Sequence, residues 1–297
     1  CIRDRHKVSM SNNSIIEAWN TVLFDKFMRF QHILVDGLSS HSNTLLERNI
    51  HHKGSRVLDV GCGFGDTTLK LAGMIGQNGE AVGVDCASKF IREAEAGKAE
   101  LGLQNAKFVV ADVQCDDLQG PYDYVFSRFG TMFFNLPGIA MKNINSSLKV
   151  SGRLDMIVWR KREENPWIHD AELKVKEIVP VVSHEETDQV HCGPGPFSMA
   201  SADMVSGMLK SAGFKRISFE RNDAEICVGK NLDEAVSFAM ELGPAGEIIR
   251  LAGENGENLR GTVRLALTET LGKYSRNDGV WAPSSTWFIS ATNKMKN

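Results

Sequence analysis

A chain of 297 residues, 42% hydrophobic and 24% charged, is long enough for one large domain or two ordinary ones around a full core. Its net charge of −3 argues against a general nucleic-acid binder, which would carry a basic excess. No apolar run approaches the roughly 20 residues a membrane-spanning helix needs, and the opening "CIRDRHKVSM" lacks the apolar segment of a secretory signal.

Met10 before "SNNS" offers itself as an alternative start, which would leave residues 1–9 as an upstream leader or remnant. Residues 15–38 carry Ile16, Trp19, Leu23, Phe27, Phe30 and Leu34 at helical spacing and predict one or two amphipathic helices. The period then changes. "RVLDV" (56–60) predicts a buried strand, and "DTTLKLAGMIG" (66–76) a helix capped by Asp66 and stopped by Gly76. "EAVGVD" (80–85) is a second strand, "SKFIREAEAGKAELG" (88–102) a helix and "AKFVVAD" (106–112) a third strand. "YDYVFSR" (122–128) is a fourth strand, "AMKNINSSLKVSG" (140–152) a helix with a turn, and "RLDMIVWR" (153–160) a fifth strand. The pattern loosens over 161–200, where "NPW" and "CGPGPF" break it. A helix over 201–214, a strand over 215–221, helices over 232–273 and a final strand over 285–292 complete the reading.

Five strands alternating with helices predict an α/β chain with a Rossmann-like, doubly wound, mostly parallel sheet of about seven strands. Ligands of such sheets bind beyond the carboxyl ends of the strands, where the strand order reverses. Gly61, Asp85, Asp112 and Ser127 stand at those ends. The six cysteines form no C-x-x-C pair and read as reduced thiols of a cytoplasmic protein, with no disulfide frame and no metal site.

Two readings compete for "VLDVGCGFGDTT" (57–68). A dinucleotide fingerprint would place its third glycine where Asp66 stands, and a carboxylate there repels a pyrophosphate. S-adenosylmethionine has no phosphate. It needs a tight glycine turn for its methionyl part, a carboxylate for its ribose and a polar group for its adenine amine. Asp85 lies 24 residues after Gly61, at the end of the second strand, and suits the ribose. Asp112 and Val113 suit the adenine edge.

"VLDVGCGFGDTT", "AVGVD", "VVADVQ", "YDYVFSRFGTMFF" and "LKVSGRLDMIVWR" resemble, in order and spacing, the motifs of class I S-adenosylmethionine-dependent methyltransferases. "FSRFGTMFF", "ENPW", "GPGPFSMA" and "SAGF" resemble a bacterial subgroup with helical insertions that form a cap. The resemblance implies that Asp59 and the turn of Gly61, Cys62, Gly63 and Gly65 hold the methionyl end. It places Asp85 and Cys86 at the ribose, Asp112 and Val113 at the adenine, and Ser127 and Phe129 at the mouth facing the acceptor. The fourth strand ends in "SRFG", not the N/D-P-P-Y of nucleic-acid amino methylases, so no nucleic-acid partner is expected. The implied activity is methyl transfer to an oxygen or nitrogen of a small molecule, leaving S-adenosylhomocysteine.

The implied division is a leader and lid helices over 1–50, a cofactor-binding core over 51–160, and a cap insertion over 161–200. A core helix and strand (201–231), a helical insertion (232–284) and a last strand with its tail (285–297) follow. Trp19, Arg128, Phe133, Trp167 and Phe197 are the expected acceptor contacts. His169 and His191 are the candidate bases, with Asp170 and His184 behind them. Cys62 reads as a residue small enough for its turn, not as a nucleophile. An NAD-dependent oxidoreductase and a non-catalytic cofactor-binding protein are the competing classes.

Overall fold

The structure, a computed structural model, describes residues 12–48, 53–182 and 193–293. Its centre is a sheet in which β1 (Arg56–Val60), β2 (Glu80–Asp85), β3 (Ala106–Val110), β4 (Tyr122–Arg128) and β5 (Leu148–Trp159) run parallel. β6 (Lys215–Gly229), the two-residue β7 (Ser275–Arg276) and β8 (Gly279–Thr292) complete it. The order is β3-β2-β1-β4-β5-β8-β6, with β8 antiparallel to both neighbours and β7 paired to its start. The doubly wound, mostly parallel sheet expected from the alternating elements is therefore present.

Successive residues of the inner strands face opposite sides, because a strand repeats every two residues. Val57, Tyr124 and Phe126 pack with Leu45 and Leu46 of α3 (Ser39–Arg48) and with Leu71 and Ile75 of α4 (Asp66–Ile75). Leu58, Val60, Val125 and Met156 pack on the other side, with α6 (Pro137–Ser147), α7 (Pro166–Ile178) and α8 (Ala202–Ser211). The same cluster takes in α9 (Leu232–Glu241), α10 (Gly243–Leu251) and α11 (Gly253–Gly272). The chain enters through a helix over 12–20, α1, then α2 (Val22–Arg29) and a π-helical turn, Ile33–Gly37. α5 (Ser88–Leu101) follows β2. No helix among the described residues is long and apolar enough to cross a membrane.

Several boundaries differ from the sequence reading. β6 continues eight residues past Arg221, and β8 begins at Gly279, inside the stretch read as helical insertion. Residues 148–152, read as a turn, open β5, whose pairing with β4 slips between Tyr122 and Tyr124. α3 falls within the stretch assigned to leader and lid helices, but past residue 38, where the helical spacing ends. Its sequence, SSHSNTLLER, is mostly polar and hides the buried His41, Ser42, Leu45 and Leu46.

The strand order reverses between β2 and β4 on either side of β1. There the turns after β1 and β4 press together. A Cβ on Gly61 would lie 2.9 Å from the Gly130 Cα, so only glycine permits this approach.

Candidate active site

The turn after β1 is left-handed at Gly61 (φ 68°), Gly63 (φ 52°) and Gly65 (φ 82°). The backbone N–H groups of Gly61 and Cys62 both donate to the Val84 carbonyl, at 2.9 and 3.0 Å, which ties the turn to β2. Asp85 adds a second tie: its Oδ2 accepts from the Gly63 N–H at 3.1 Å and its Oδ1 from the Ala87 N–H at 2.9 Å. Burial pushes the Asp85 carboxyl above its ordinary pKa, and the backbone donors at Ala87, Gly63 and Cys86 oppose that shift. Gly65 packs instead of binding. A Cβ there would strike Ala94 and the Phe108 ring, both at 2.7 Å, so it performs the close helix–sheet contact of a third fingerprint glycine.

A cavity of about 640 Å³ opens over this turn. Gly61, Cys62, Gly63, Asp85, Cys86, Asp112, Val113 and Phe129 line it, and so do all five expected acceptor contacts, Trp19, Arg128, Phe133, Trp167 and Phe197. Three residues expected at the cofactor are absent from the wall. Asp59 is 1% exposed, and its Oδ2 accepts from the hydroxyls of Thr67 (2.6 Å) and Thr68 (2.7 Å). Its Oδ1 has no partner among the described residues, and burial raises its pKa to about 6. Ser127 is fully buried and donates to the Val60 carbonyl at 2.7 Å, pinning β4 to β1. Gly65 is occupied by its packing contacts. All three sit one layer behind the cavity wall.

Asp112 holds more partners than the sequence suggested. Its Oδ2 accepts from Asn12 Nδ2 at 2.7 Å, and its Oδ1 accepts from the Gln114 N–H and Nε2 at 2.9 and 3.2 Å. Asn12 belongs to α1, so the first helix is latched to the end of β3. Trp19 packs edge-on against Phe27, Phe90 and Phe133, and the Asn20 Oδ1 accepts from the Lys89 N–H at 3.2 Å. These contacts lay α1 across the carboxyl ends of β2 and β3.

The opposite wall is aromatic. Phe129, held at φ 59°, stacks on Trp159 at 4.4 Å, and Trp167 stacks on Phe238 at 6.1 Å. Phe238, from α9, is a wall residue that the helical pattern alone did not distinguish from core. Behind the Phe129 and Trp159 pair lies His41, fully buried, with Nε2 2.7 Å from Ser284 Oγ and Nδ1 2.6 Å from Asn222 Nδ2. Burial lowers its pKa to about 4, so its ring is neutral and supports the aromatic wall without touching the cavity.

The two described candidate bases, His169 and Asp170, do not line the cavity. His169 lies on α7, whose cavity-facing residues are Trp167, Ile168 and Ala171. At about 100° per residue, position 169 falls on the far side of that helix. Asp170 pairs with Lys273 at 2.7 Å. His184 and His191 lie outside the described residues. Burial, then the Asp85 carboxylate, pushes the Cys62 and Cys86 thiols up, so neither is a thiolate nucleophile.

Residues 51–189 match a family described as the methyltransferase domain. Similarity to curated proteins points the same way. A demethylmenaquinone methyltransferase of Staphylococcus carnosus (strain TM300) is 27% identical over 174 residues, 56% of this chain and 70% of that one. One from Staphylococcus aureus (strain JH9) is 35% identical over 104 residues, 34% of this chain and 41% of that one. The chain thus spans well under half the length of the Staphylococcus aureus relatives it matches.

Residues 51–189 are a class I S-adenosylmethionine-dependent methyltransferase domain.

Among solved structures, the YcgJ protein of Bacillus subtilis shares the fold of this methyltransferase with a TM-score of 0.57 and 16% identity. That similarity covers 86% of this chain and all of the other. Phosphoethanolamine N-methyltransferase 2 of Haemonchus contortus, in complex with S-adenosyl-L-methionine, has a TM-score of 0.56 and 14% identity over 95% and 60% of the two chains. The cavity of the methyltransferase fits such a cofactor. A Cβ at Gly63 would meet nothing within 4 Å, so the turn opens onto free space. Asp85 and Asp112 line that end and suit hydroxyls and an amine, and Asp66 beside them is paired with Arg128, which also lines it. The family match ends before α8, so the cavity residues contributed by α9 and α10 lie outside it.

Proposed function

We propose that the protein transfers a methyl group from S-adenosylmethionine to an oxygen or nitrogen of a small, largely apolar, ring-bearing acceptor. The observation that carries this reading is one continuous cavity with two chemically different ends. Carboxylates and a glycine turn form one end, and stacked aromatic rings, with Lys26, Arg162, Glu241, Glu247 and Arg250 also in the lining, form the rest. Asp85 accepts from the ribose hydroxyls with the lone pairs that Gly63 and Ala87 leave free. Asp112 and Val113 meet the adenine edge, with Cys86 beside the ribose. When bound, the cofactor supplies an activated methyl on a sulfonium. The chain's part is then alignment and exclusion of water. Phe129, Phe133, Trp159, Trp167 and Phe197 grip the acceptor ring, and α1 with Trp19 closes the cofactor side.

No histidine among the described residues lines the cavity. A second reading, methylation of a quinone-type acceptor, has the name of the curated relatives, demethylmenaquinone methyltransferase, and the same aromatic wall behind it.

Calorimetry with S-adenosylmethionine and with NAD is the first test. Heat with the first and none with the second is expected. A folded protein that binds neither, or only NAD, overturns the reading. Turnover is then sought in a panel of aromatic amines, phenols and quinols with a labelled methyl donor. Binding without transfer to any of them would leave the non-catalytic class standing.

A further inference from the structure

We propose that the ion pair of Arg128 and Asp66 is the receptor for the amino-acid end of the cofactor, with Arg128 meeting its carboxylate and Asp66 its ammonium. This rests on the cofactor reading above. Both residues line the cavity beside the Gly61 and Gly63 turn. Arg128 Nη2 lies 2.9 and 2.8 Å from the two Asp66 carboxylate oxygens. Its only other partner among the described residues is Ser42 Oγ, 3.3 Å from Nη1. A guanidinium has five N–H donors in a planar fork that matches a carboxylate. These contacts leave at least two of the five donors without a partner among the described residues, and Arg128 lines the cavity, where a second acceptor can dock.

Asp66 is the first residue of α4, directly after the left-handed Gly65. Its carboxylate has room for a further donor beside Arg128. Asp59, the acid first expected at the ammonium, lies behind the turn with one oxygen bound to two threonines. Unlike Asp59, Arg128 and Asp66 do reach the cavity wall beside the glycine turn.

The logic is that of a zwitterion on an ion pair. A ligand with a single charge would strip one member of its neutralising partner in a half-buried site, at a cost. A ligand with an ammonium and a carboxylate on one carbon satisfies both members together. The competing account is a salt bridge that merely braces β4 against α4.

The two accounts separate with a matched pair of ligands. S-adenosylhomocysteine carries the amino-acid end, and 5′-methylthioadenosine lacks it. Calorimetry on the full chain would compare wild type, Arg128→Met and Asp66→Asn, with Arg128→Lys as the milder variant should Arg128→Met fail to fold. The expected result is a loss of roughly tenfold or more in affinity for S-adenosylhomocysteine. Affinity for 5′-methylthioadenosine should stay within about twofold, a difference too small to count as a lost charged hydrogen bond. Equal losses for both ligands would make the pair a brace, and no loss for either would remove it from the site. A wild-type protein that binds neither ligand would defeat the cofactor reading itself.

Discussion

Asp85 both holds the glycine turn and faces the cavity, so its two substitutions should separate. Asp85→Asn keeps an oxygen that can accept from one backbone N–H but loses the charge. Asp85→Ala removes both ties to Gly63 and Ala87. The alanine variant is expected to lose about 1–3 kcal/mol of affinity for S-adenosylhomocysteine and to unfold at lower denaturant. The asparagine variant should lose affinity with a smaller loss of stability. Unchanged affinity in a folded alanine variant would move the ribose elsewhere. Two other buried groups act on stability in opposite senses as pH falls. The folded pKa of Asp59, about 6, lies above its ordinary 3.8. The folded state therefore binds the extra proton, and acidification through that window favours folding, by at most about 3 kcal/mol. The folded pKa of His41, about 4, lies below its ordinary 6.5. Its contribution is complete above about pH 6.5 and is lost as pH falls through about 4. Asp59→Asn removes the first effect and leaves the second. Its urea midpoint should therefore drop more steeply than that of wild type between about pH 6 and pH 4. Parallel profiles would show that Asp59 does not titrate there.

The Asn12 amide on Asp112 latches the first helix to the end of β3. Asn12→Ala is expected to ease local opening of α1 by about 1–3 kcal/mol, the range for a hydrogen bond to a charged group. Hydrogen exchange should show faster α1 amides with protection in β1 unchanged, because local opening costs less than global unfolding. Equal acceleration in β1 would mean that α1 is part of the global core. Elements such as β1, β2 and α4 were legible because their apolar runs are short, clean and bounded by glycine. β6 and β8 were legible only in part. The second half of β6, with Arg221, Asn222, Asp223 and Glu225, is polar because it runs at the sheet edge. Pro283 disguised the start of β8. It is tolerated there because β8 pairs with β5 only from Thr286 onward, so on that side no ladder needs its missing N–H. At the site, the acids at strand ends showed in the spacing. The latch of Asn12, the Phe238 wall and the Arg128 partner did not, since each joins segments far apart in the chain.

The helices that follow the family match are not a separate lobe resting on the cofactor domain. Leu58 and Val60 of β1, Met141 of α6, Val175 of α7, Phe238 of α9, Ile249 of α10 and Leu267 of α11 belong to one buried cluster. A cluster of that continuity couples the acceptor wall to the sheet that carries the cofactor turn. Leu267 is fully buried and distant in sequence from every cofactor residue, so it tests the coupling. Leu267→Ala is expected to lower the unfolding free energy by about 2–5 kcal/mol through the cavity it leaves. Far-ultraviolet dichroism reports all the helices, while three of the five tryptophans, Trp19, Trp159 and Trp167, line the cavity and weight the fluorescence towards its wall. The two curves should coincide in wild type and variant alike. S-adenosylhomocysteine at about a hundred times its Kd should then shift both curves together by about 2.7 kcal/mol. An earlier helical step that ignores this ligand would show that α9, α10 and α11 fold as their own unit. In that case the acceptor wall would be free to move independently of the methyl donor, and the alignment argued for this site would have to come from acceptor binding itself.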